Sequence, residues 1–269
     1  MWIYSLWIAI ALYIIGLVFS SLSFITRRDA LFRAALATVG IALLSHTLSL
    51  VALGVESRHF PLTNLRESCS FFAWAVTVSF FLSYLRYRIK ALGLFILPLV
   101  ATLLLAGGLF EATPVPEALR SSWIYIHIPL VFTAYAAFFV TFVASILYLF
   151  EERELKARRP GTFYYRLPPL QVLENLQRTA LGIGFALMTL GIVSGALWAE
   201  QAWGQYWNWS DPKQSAAFAT WLIYLVLVHY RLTAGYRGRK VAILSVLGFL
   251  SVLFTFLGVS FFKEGPHSF

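Results

Sequence analysis

The sequence has few charged residues and very little cysteine. Only 12% of its 269 residues are Asp, Glu, Lys or Arg, and 59% are hydrophobic, whereas charged residues make up about 25% of an ordinary soluble domain. The single cysteine, Cys69, excludes an internal disulfide and a Cys-x-x-Cys-His site for covalent haem attachment. The chain is therefore neither an ordinary soluble domain nor a c-type cytochrome.

The sequence also lacks the short alternating strands of a β-barrel, and it has long apolar runs instead. Eight runs have about the 20 residues that a bilayer-spanning helix needs. They cover residues 2–23, 32–54, 69–85, 91–109, 123–149, 179–199, 216–233 and 241–261. We therefore predict an all-α polytopic integral membrane protein with about eight transmembrane helices. Without an internal repeat, a single membrane domain over residues 1–269 is the simplest division.

The basic residues are unevenly distributed among the connections between these runs. The net charge is +9, but the charges lie in short loops, which is typical of topology determinants and not of a nucleic-acid-binding surface. The loops after runs one, three, five and seven, counted together with the adjoining ends of the runs (Arg33 and Arg231), hold three, three, six and four Lys and Arg, which is 16 of the 21. Because Lys and Arg accumulate on the cytoplasmic side, both termini and the loop between runs six and seven are predicted to face outward.

That outward loop is unusually rich in tryptophan. Four of the nine tryptophans fall within residues 198–209. An aromatic belt at the membrane surface places one or two rings at each end of a span, and it does not predict this density. Indole is a large, stiff and flat surface, so the segment favours a platform for a planar aromatic ligand over a dense belt. Gly204 lies between Trp203 and Trp207, and the Asp211-Pro212 turn follows Trp209.

The sequence has only five histidines, and their placement is informative. His46 lies inside the second run and His229 inside the seventh. An ionisable group at bilayer depth is a functional-site hypothesis by default, although a neutral histidine bonded to a neighbouring helix is the alternative. Paired imidazoles are suitable axial ligands for a haem iron between helices. His127 and His267 are predicted on the outer side, where they would fix a planar iron complex above the Trp-rich loop, although histidines in a chain tail are usually solvated.

Several motifs together resemble one family. Trp203-Gly-Gln-Tyr206-Trp207-Asn-Trp209 followed by Asp211-Pro-Lys resembles the tryptophan-rich WWD signature of haem-handling membrane proteins of the cytochrome c assembly family. Within that family the CcsA/ResC type is most similar. The shared motifs are His59-Phe-Pro-Leu-Thr-Asn64, Ile126-His127-Ile128, Thr220-Trp221 before His229, and the ending Gly265-Pro-His267-Ser-Phe269. The similarity spans roughly residues 40–269.

The resemblance implies a set of haem ligands and contacts. It makes His127 and His267 the axial ligands of an external haem b, and His46 and His229 the ligands of an intramembrane haem iron. The loop residues that would hold the external haem are Trp203, Gly204, Tyr206, Trp207, Trp209, Asp211 and Pro212.

The resemblance also implies a function. Members of the CcsA/ResC type act with a CcsB/ResB-like membrane protein as a holocytochrome c synthase, or haem lyase, in the cytoplasmic or a thylakoid-type membrane. They present haem to the Cys-x-x-Cys-His motif of apocytochrome c, where thioethers form. One alternative is a CcmC-like exporter or chaperone that passes haem to a carrier without ligation, and another is a haem-b electron-transfer anchor. Eight spans and the His267 ending favour the synthase.

The loop departs from the family pattern in two places. Ser210 stands between Trp209 and Asp211, and Gln214 replaces a glutamate. One extra residue rotates the following chain by ~100° if the segment is helical. The role of Asp211 is therefore less secure than haem binding by the loop as a whole.

Overall fold

The computed structural model describes residues 2–110, 121–157, 164–233 and 235–258, and within these ranges it contains helices and no strand. The α-helices are α1 Trp2–Thr26, α2 Asp29–Ser57, α3 Leu65–Tyr87, α4 Leu92–Gly107, α5 Ile124–Lys156, α6 Leu170–Trp203, α7 Pro212–Val228 and α8 Arg239–Leu253. A 3-10 turn covers Tyr164–Arg166, and π-helical turns cover His229–Thr233 and Phe254–Gly258. Each predicted run has a helical counterpart, which confirms the all-α class.

Six helices of the described residues are long and apolar enough to cross a membrane, and the last of them is α8 continued by its π-helical turn as far as Leu257. The exceptions, α4 and α7, have 16 and 17 residues, which correspond to about 24 and 26 Å at ~1.5 Å per residue, against a hydrocarbon core of ~30 Å. The π-helical turn His229–Thr233 continues α7 by five residues. The protein is a multi-pass membrane protein, and the count of eight spans stays a prediction.

The described chain forms two compact units. The first contains α1 to α4 together with Tyr165–Pro168. Helices α1 and α2 of this unit approach closely at Gly16. A β-carbon built on this residue of α1 would lie only 2.5 Å from the Val39 Cγ2 atom of α2. Small residues at such crossings let the backbones of apolar helices come together. The prediction of one domain over residues 1–269 stays a prediction.

The second unit contains α5 to α8, and α5 is the most enclosed of the six long helices. Helix α6 packs against α5 along a face of three glycines, Gly184, Gly191 and Gly195. Spacings of seven and four residues keep these positions on one side of a helix with 3.6 residues per turn. A β-carbon on Gly184 would lie 2.7 Å from the Phe138 ring, and one on Gly191 would lie 2.8 Å from the Val131 Cγ2 atom. The two helices are therefore in close contact over several turns.

Helix α6 begins at Leu170, nine residues before the predicted start of the sixth run at residue 179. Its first turns contain two polar residues that hydropathy assigns to a loop, Glu174 and Gln177, and both are buried. The Gln177 Nε2 atom donates to the Ser145 Oγ atom at 2.6 Å, and a Glu174 carboxylate oxygen lies 3.7 Å from the Arg231 guanidinium. These partners from other helices satisfy the polar groups, so the helix extends through them.

Candidate functional site

The Trp-rich loop begins directly at the end of α6. Gly204 follows the last helical residue, Trp203, with a φ of 71°, and its N–H donates to the Glu200 carbonyl at 2.8 Å. The left-handed conformation costs a residue with a β-carbon roughly 1–2 kcal/mol, so glycine is favoured at this position. Gly204 therefore ends the helix and sets the direction in which the loop leaves it.

The other end of the loop is held by Asp211, which is buried. Its Oδ1 atom accepts hydrogen bonds from the backbone N–H groups of Lys213 at 2.8 Å and Gln214 at 3.0 Å. Asp211 is thus the N-cap of α7, and Pro212 occupies the first helical turn, where its missing N–H leaves no bond unmade. In the structure the contribution of Asp211 is to fix where the loop ends.

The extra residue Ser210 lies in a turn and not in a helix. The Asp211 N–H donates to the Asn208 carbonyl at 3.1 Å, and the Ser210 N–H donates to the Asn208 side-chain oxygen at 3.0 Å. The predicted rotation of ~100° therefore does not arise. Gln214 also contributes, because its Oε1 atom accepts from the Asn208 N–H at 2.8 Å. An amide oxygen accepts such a bond as a carboxylate oxygen does, so this substitution preserves an acceptor.

The later rings of the loop form an aromatic cluster with α7. The Trp207 and Trp209 ring centroids are 5.5 Å apart, and Phe218 lies 5.8 and 5.4 Å from them. Phe218 also stacks on Trp221 at 5.9 Å. Trp209 is 68% exposed and Tyr206 is 59% exposed. A large aromatic surface is therefore supported from beneath by α7 and remains accessible at the loop.

The earlier rings of the stretch lie beside His127. Trp198 is buried near the end of α6 and stacks on the imidazole, with centroids 5.9 Å apart and planes at 29°. Trp203 meets Trp198 edge-on at 5.0 Å. The first turns of α5 and the last turns of α6 thus lie at the same end of this unit, and they bring His127 and Trp203, both predicted site residues, into one chain of ring contacts.

A hydrogen bond sets the tautomer of His127. Its Nδ1 atom lies 2.8 Å from the Gly191 carbonyl oxygen of α6. A carbonyl only accepts, so Nδ1 carries the proton and, in the neutral imidazole, Nε2 carries the lone pair. A histidine that binds a metal usually donates its other N–H in this way, which fixes the ring orientation and raises ligand basicity. His127 therefore has the tautomer that an axial ligand of iron needs.

The imidazole of His127 occupies space that a larger residue on α6 would take. A β-carbon built on Gly195 would lie 2.6 Å from the His127 Cε1 atom and 2.8 Å from Nδ1. Gly195 therefore admits the ring, while Gly191, one turn earlier on the same face, supplies the acceptor. Sequence analysis missed both positions and also the stacking role of Trp198. The signal was present in the spacing of Gly184, Gly191 and Gly195, which marks one face of a helix.

The residues present fit a haem. A planar macrocycle needs a flat apolar surface, an iron ligand and hydrogen-bond donors at its polar edge. The loop supplies exposed rings, and His127 supplies a nitrogen with a lone pair. In addition, the buried indole N–H of Trp207 has no hydrogen-bond acceptor among the described residues, so one donor is left for a ligand. The predicted second ligand, His267, lies outside the described residues, and its pairing with His127 stays a prediction.

His46 lies in the first unit and is fully buried. Its Nε2 atom lies 2.9 Å from the Ser70 Oγ atom, and its Nδ1 atom lies 3.4 Å from the Tyr13 hydroxyl. Both ring nitrogens thus face hydroxyl groups of neighbouring helices. This is the arrangement expected of a neutral histidine that bonds to a neighbouring helix and not to a metal. Either hydroxyl can rotate, so ligation of an iron by His46 requires one of these bonds to be exchanged.

His229 lies in the second unit, where α7 changes into the π-helical turn His229–Thr233. Its side chain is exposed, while the nearby Arg231 is buried. The Arg231 guanidinium donates to the carbonyls of Glu174 and Tyr236, each at 3.1 Å. These bonds hold the turn against α6, and they leave the imidazole of His229 at the surface of the unit. Ligation by His46 and His229 stays a prediction.

The fold and the site together define a class, that of multi-pass helical membrane proteins with a histidine of fixed tautomer packed where a Trp-rich loop begins. The family of cytochrome C assembly proteins matches residues 39–267. The chain is 36% identical over 242 residues to the cytochrome c biogenesis protein CcsA of Chlamydomonas reinhardtii, with 86% of this chain and 67% of the relative covered. The chain therefore belongs to the cytochrome c assembly family.

Other relatives agree with this membership. The CcsA protein of Microcystis aeruginosa is 34% identical over 281 residues, which cover 86% of this chain and 85% of that one. Among solved structures, the cytochrome c haem lyase CcmF matches with a TM-score of 0.70 at 19% identity. That match covers 96% of this chain and 46% of CcmF, so this chain spans about half of that larger protein. The likeness to CcmF shows a shared fold.

Proposed function

We propose that this protein binds haem b at the Trp-rich loop and presents it for attachment to apocytochrome c, as a subunit of a CcsA/ResC-type holocytochrome c synthase. The observation that carries the proposal is the Nδ1–H bond of His127 to the Gly191 carbonyl, beside Trp198 and Trp203 in the last turns of α6, from which the loop starts. The CcsA relatives, which are named for cytochrome c biogenesis, give the reaction its context. We place the loop on the outer face of the cytoplasmic or thylakoid-type membrane.

Each residue of the site has a distinct task in this proposal. His127, through the lone pair of Nε2, and His267 would be the two ligands of the haem iron. The rings of Trp207 and Trp209 would contact the macrocycle, and the Trp207 N–H would be available to a polar group of the haem. Gly204 and Asp211 fix the two ends of the loop, so the ring surface is formed before the ligand arrives. Little ordering of the loop is then needed on binding.

Haem, when bound, supplies vinyl groups to which the cysteine thiols of apocytochrome c add, each forming a C–S bond while the thiol proton goes to the adjacent vinyl carbon. The protein holds the macrocycle in place and leaves one edge open to the Cys-x-x-Cys-His segment. A ligand held in a fixed position reduces the entropic cost of bringing the reacting groups together. We assign a CcsB/ResB-like membrane protein as the partner subunit.

Replacement of His127 tests the proposal directly. We expect His127→Gly to lower the haem content of the purified protein and the yield of mature cytochrome c by more than about tenfold, with partial recovery on addition of imidazole, because a lost ligand leaves a position that a free imidazole can fill. His267→Gly should behave in the same way. Absorption spectra and a haem-stained gel of a co-expressed c-type cytochrome measure both effects, and wild type with imidazole is the control.

Two outcomes would redirect the proposal. If both glycine variants mature cytochromes at the wild-type rate without imidazole, these histidines are not the ligands. If haem is bound and released to a carrier but no thioether forms with any partner, the protein is an exporter or chaperone.

Trp209→Ala should lower haem occupancy without imidazole rescue, because it removes a surface and not a ligand. Trp7→Ala, at an exposed tryptophan of α1, is the matched control.

We further propose that His46 and His229 each act as a ligand of haem iron within the membrane. The support is their position in apolar runs, where an imidazole is costly without a function. We expect His46→Ala and His229→Ala each to reduce haem content in the purified protein. Ser70→Ala removes one hydroxyl that faces His46 and should leave haem content unchanged. Normal haem content and maturation in both histidine variants would return these residues to a structural role.

A further inference from the structure

A small cavity is lined by residues that lie far from the Trp-rich loop in the sequence. It belongs to the first unit, has a volume of about 230 Å³, and is formed where α1 ends and α2 begins, with Arg166 on one side. This volume is below the ~300–1,000 Å³ typical of drug-sized ligands. The cavity is therefore suited to a group much smaller than haem.

The walls of this cavity carry an excess of positive charge. Its charged lining residues are Arg27, Lys90, Arg166 and Asp29. The Lys90 Nζ atom lies 2.6 Å from the Asp29 carboxylate, so these two charges largely offset each other. The charges of Arg27 and Arg166 have no carboxylate to balance them among the residues that line the cavity. Two guanidinium groups at one small cavity favour an anion.

Arg166 provides a second, independent observation. Its guanidinium carbon lies 5.5 Å from the centroid of the Phe24 ring, which restrains the side chain on the apolar wall. Its Nε–H is buried, and no acceptor for it exists in the described ranges of the chain. A planar guanidinium donates two parallel hydrogen bonds to phosphate or carboxylate oxygens. The buried donor and the excess charge thus point to the same kind of ligand.

The position of the cavity identifies the source of that ligand. Residues 27–29 lie between two helices that are each long enough to span a membrane, so we expect this connection at the level of the lipid headgroups. Phe24 and Phe32 form its apolar part, as a headgroup attached to acyl chains requires. The distribution of basic residues predicts this end on the cytoplasmic side, whose leaflet carries anionic lipids.

We propose that this cavity binds a phosphate-bearing anion, with Arg166 and Arg27 as its principal contacts and the phosphodiester of an anionic phospholipid as its occupant. The Lys90 ammonium offsets the negative charge of the Asp29 carboxylate, which also lines the cavity. Binding at this point would link the ends of α1 and α2 to the segment that contains Arg166.

The experiment uses the full chain in nanodiscs of phosphatidylglycerol and phosphatidylcholine in equal parts, followed by native mass spectrometry of the extracted protein. We expect wild type to retain phosphatidylglycerol in preference to phosphatidylcholine. Arg166→Gln should reduce that preference by about tenfold, as expected for the loss of a charge-assisted hydrogen bond. Arg86→Gln, at an exposed arginine of α3 that does not line the cavity, controls for general attraction of basic residues to anionic lipid.

Two further measurements identify the source of the phosphate group and provide for a variant that fails to fold. Inorganic phosphate that stabilises the wild type against heat, and that displaces phosphatidylglycerol, would assign the site to a soluble phosphate compound and would overturn the choice of a lipid. Arg27→Gln, at an exposed residue, provides a second test should Arg166→Gln fail to fold. Equal retention of both lipids by the wild type, or unchanged preference in both arginine variants, would overturn the proposal.

Discussion

The orientation of His127 depends on two glycines of α6. Gly191 provides the carbonyl that accepts from Nδ1, and Gly195 provides the space in which the ring lies. Neither contacts a ligand in the proposed site. Both act through the imidazole, so their effect appears as a change in how well that ring binds iron.

We expect Gly195→Ala to lower haem affinity by roughly tenfold, the lower end of the effect that residues behind a metal ligand usually have. A methyl group 2.6 Å from the His127 Cε1 atom forces the ring to move, and an iron bound through the Nε2 atom would no longer be held in its proper position. Haem titration of the purified protein and the reduction potential of the bound haem measure this effect.

A second glycine variant makes the result specific. Glycine to alanine inside a helix normally stabilises by roughly 0.5–1 kcal/mol, so a loss of haem affinity in a chain of unchanged or higher thermal stability indicates displacement of the ring. Gly40→Ala in α2 meets its nearest atom at 3.8 Å and should leave haem binding unaltered. Wild-type affinity and potential in Gly195→Ala would show that the position of the ring does not depend on Gly195.

Among the elements, α7 is the one whose start determines the shape of the loop. Its N-cap, Asp211, can be replaced by a residue that also caps or by one that does not. Asp211→Asn keeps a side-chain oxygen for the N–H groups of Lys213 and Gln214, and we expect near-normal stability and haem content. Asp211→Ala should lower stability by ~1 kcal/mol and reduce haem content with it.

The cap of α3 offers a matched comparison for thermal unfolding in detergent. The Asn64 side chain accepts from the Glu67 N–H at 2.9 Å, so Asn64→Ala should also cost ~1 kcal/mol, but without loss of haem at the loop. Haem loss in Asp211→Asn at unchanged stability would contradict this view, because it would show that the negative charge itself is needed.

Hydropathy predicted the limits of a helix less well where its polar side chains find partners elsewhere in the chain. Apolar runs predicted all the described helices because the membrane requires backbone groups to bond within the segment. Helix α6 begins nine residues before the predicted run, since Gln177 and Glu174 are compensated by Ser145 and Arg231 from distant parts of the chain. Hydropathy measures each residue alone and contains no information about such partners.

The candidate site shows the same limit. The density of tryptophan predicted a ring surface, and Trp207 and Trp209 do form one with α7. The prediction could not include Phe218, whose contribution depends on the turn of the chain at Asn208. Likewise, the tautomer of His127 depends on a carbonyl 64 residues away. Residue types and spacing indicate which groups are available, and the packing of helices decides which of them meet.

For the whole molecule, the distribution of basic residues predicts that the two ends of α6 face opposite sides of the membrane. The helix has 34 residues, about 51 Å at ~1.5 Å per residue, which exceeds a hydrocarbon core of ~30 Å. A membrane-impermeant thiol reagent on intact cells should label Ser210→Cys. It should label Ala157→Cys only after permeabilisation.

The chain is well suited to this measurement, because its one cysteine, Cys69, is buried and both labelled positions are exposed. Wild type provides the background of the labelling. Reaction of Ser210→Cys and Ala157→Cys from the same side would mean that a span has been miscounted, and the assignment of the outer haem ligands would fail with it.

The contact between Gly195 and His127 also constrains how related sequences can diverge. A β-carbon at position 195 and an imidazole at position 127 occupy the same space, so a residue larger than glycine is disfavoured at 195 while the histidine stays. Chains that keep the histidine should keep the glycine. Chains that have replaced the histidine by a small residue are free to accept alanine or serine at 195. The two positions, 68 residues apart in the numbering of this chain, should therefore vary as a pair.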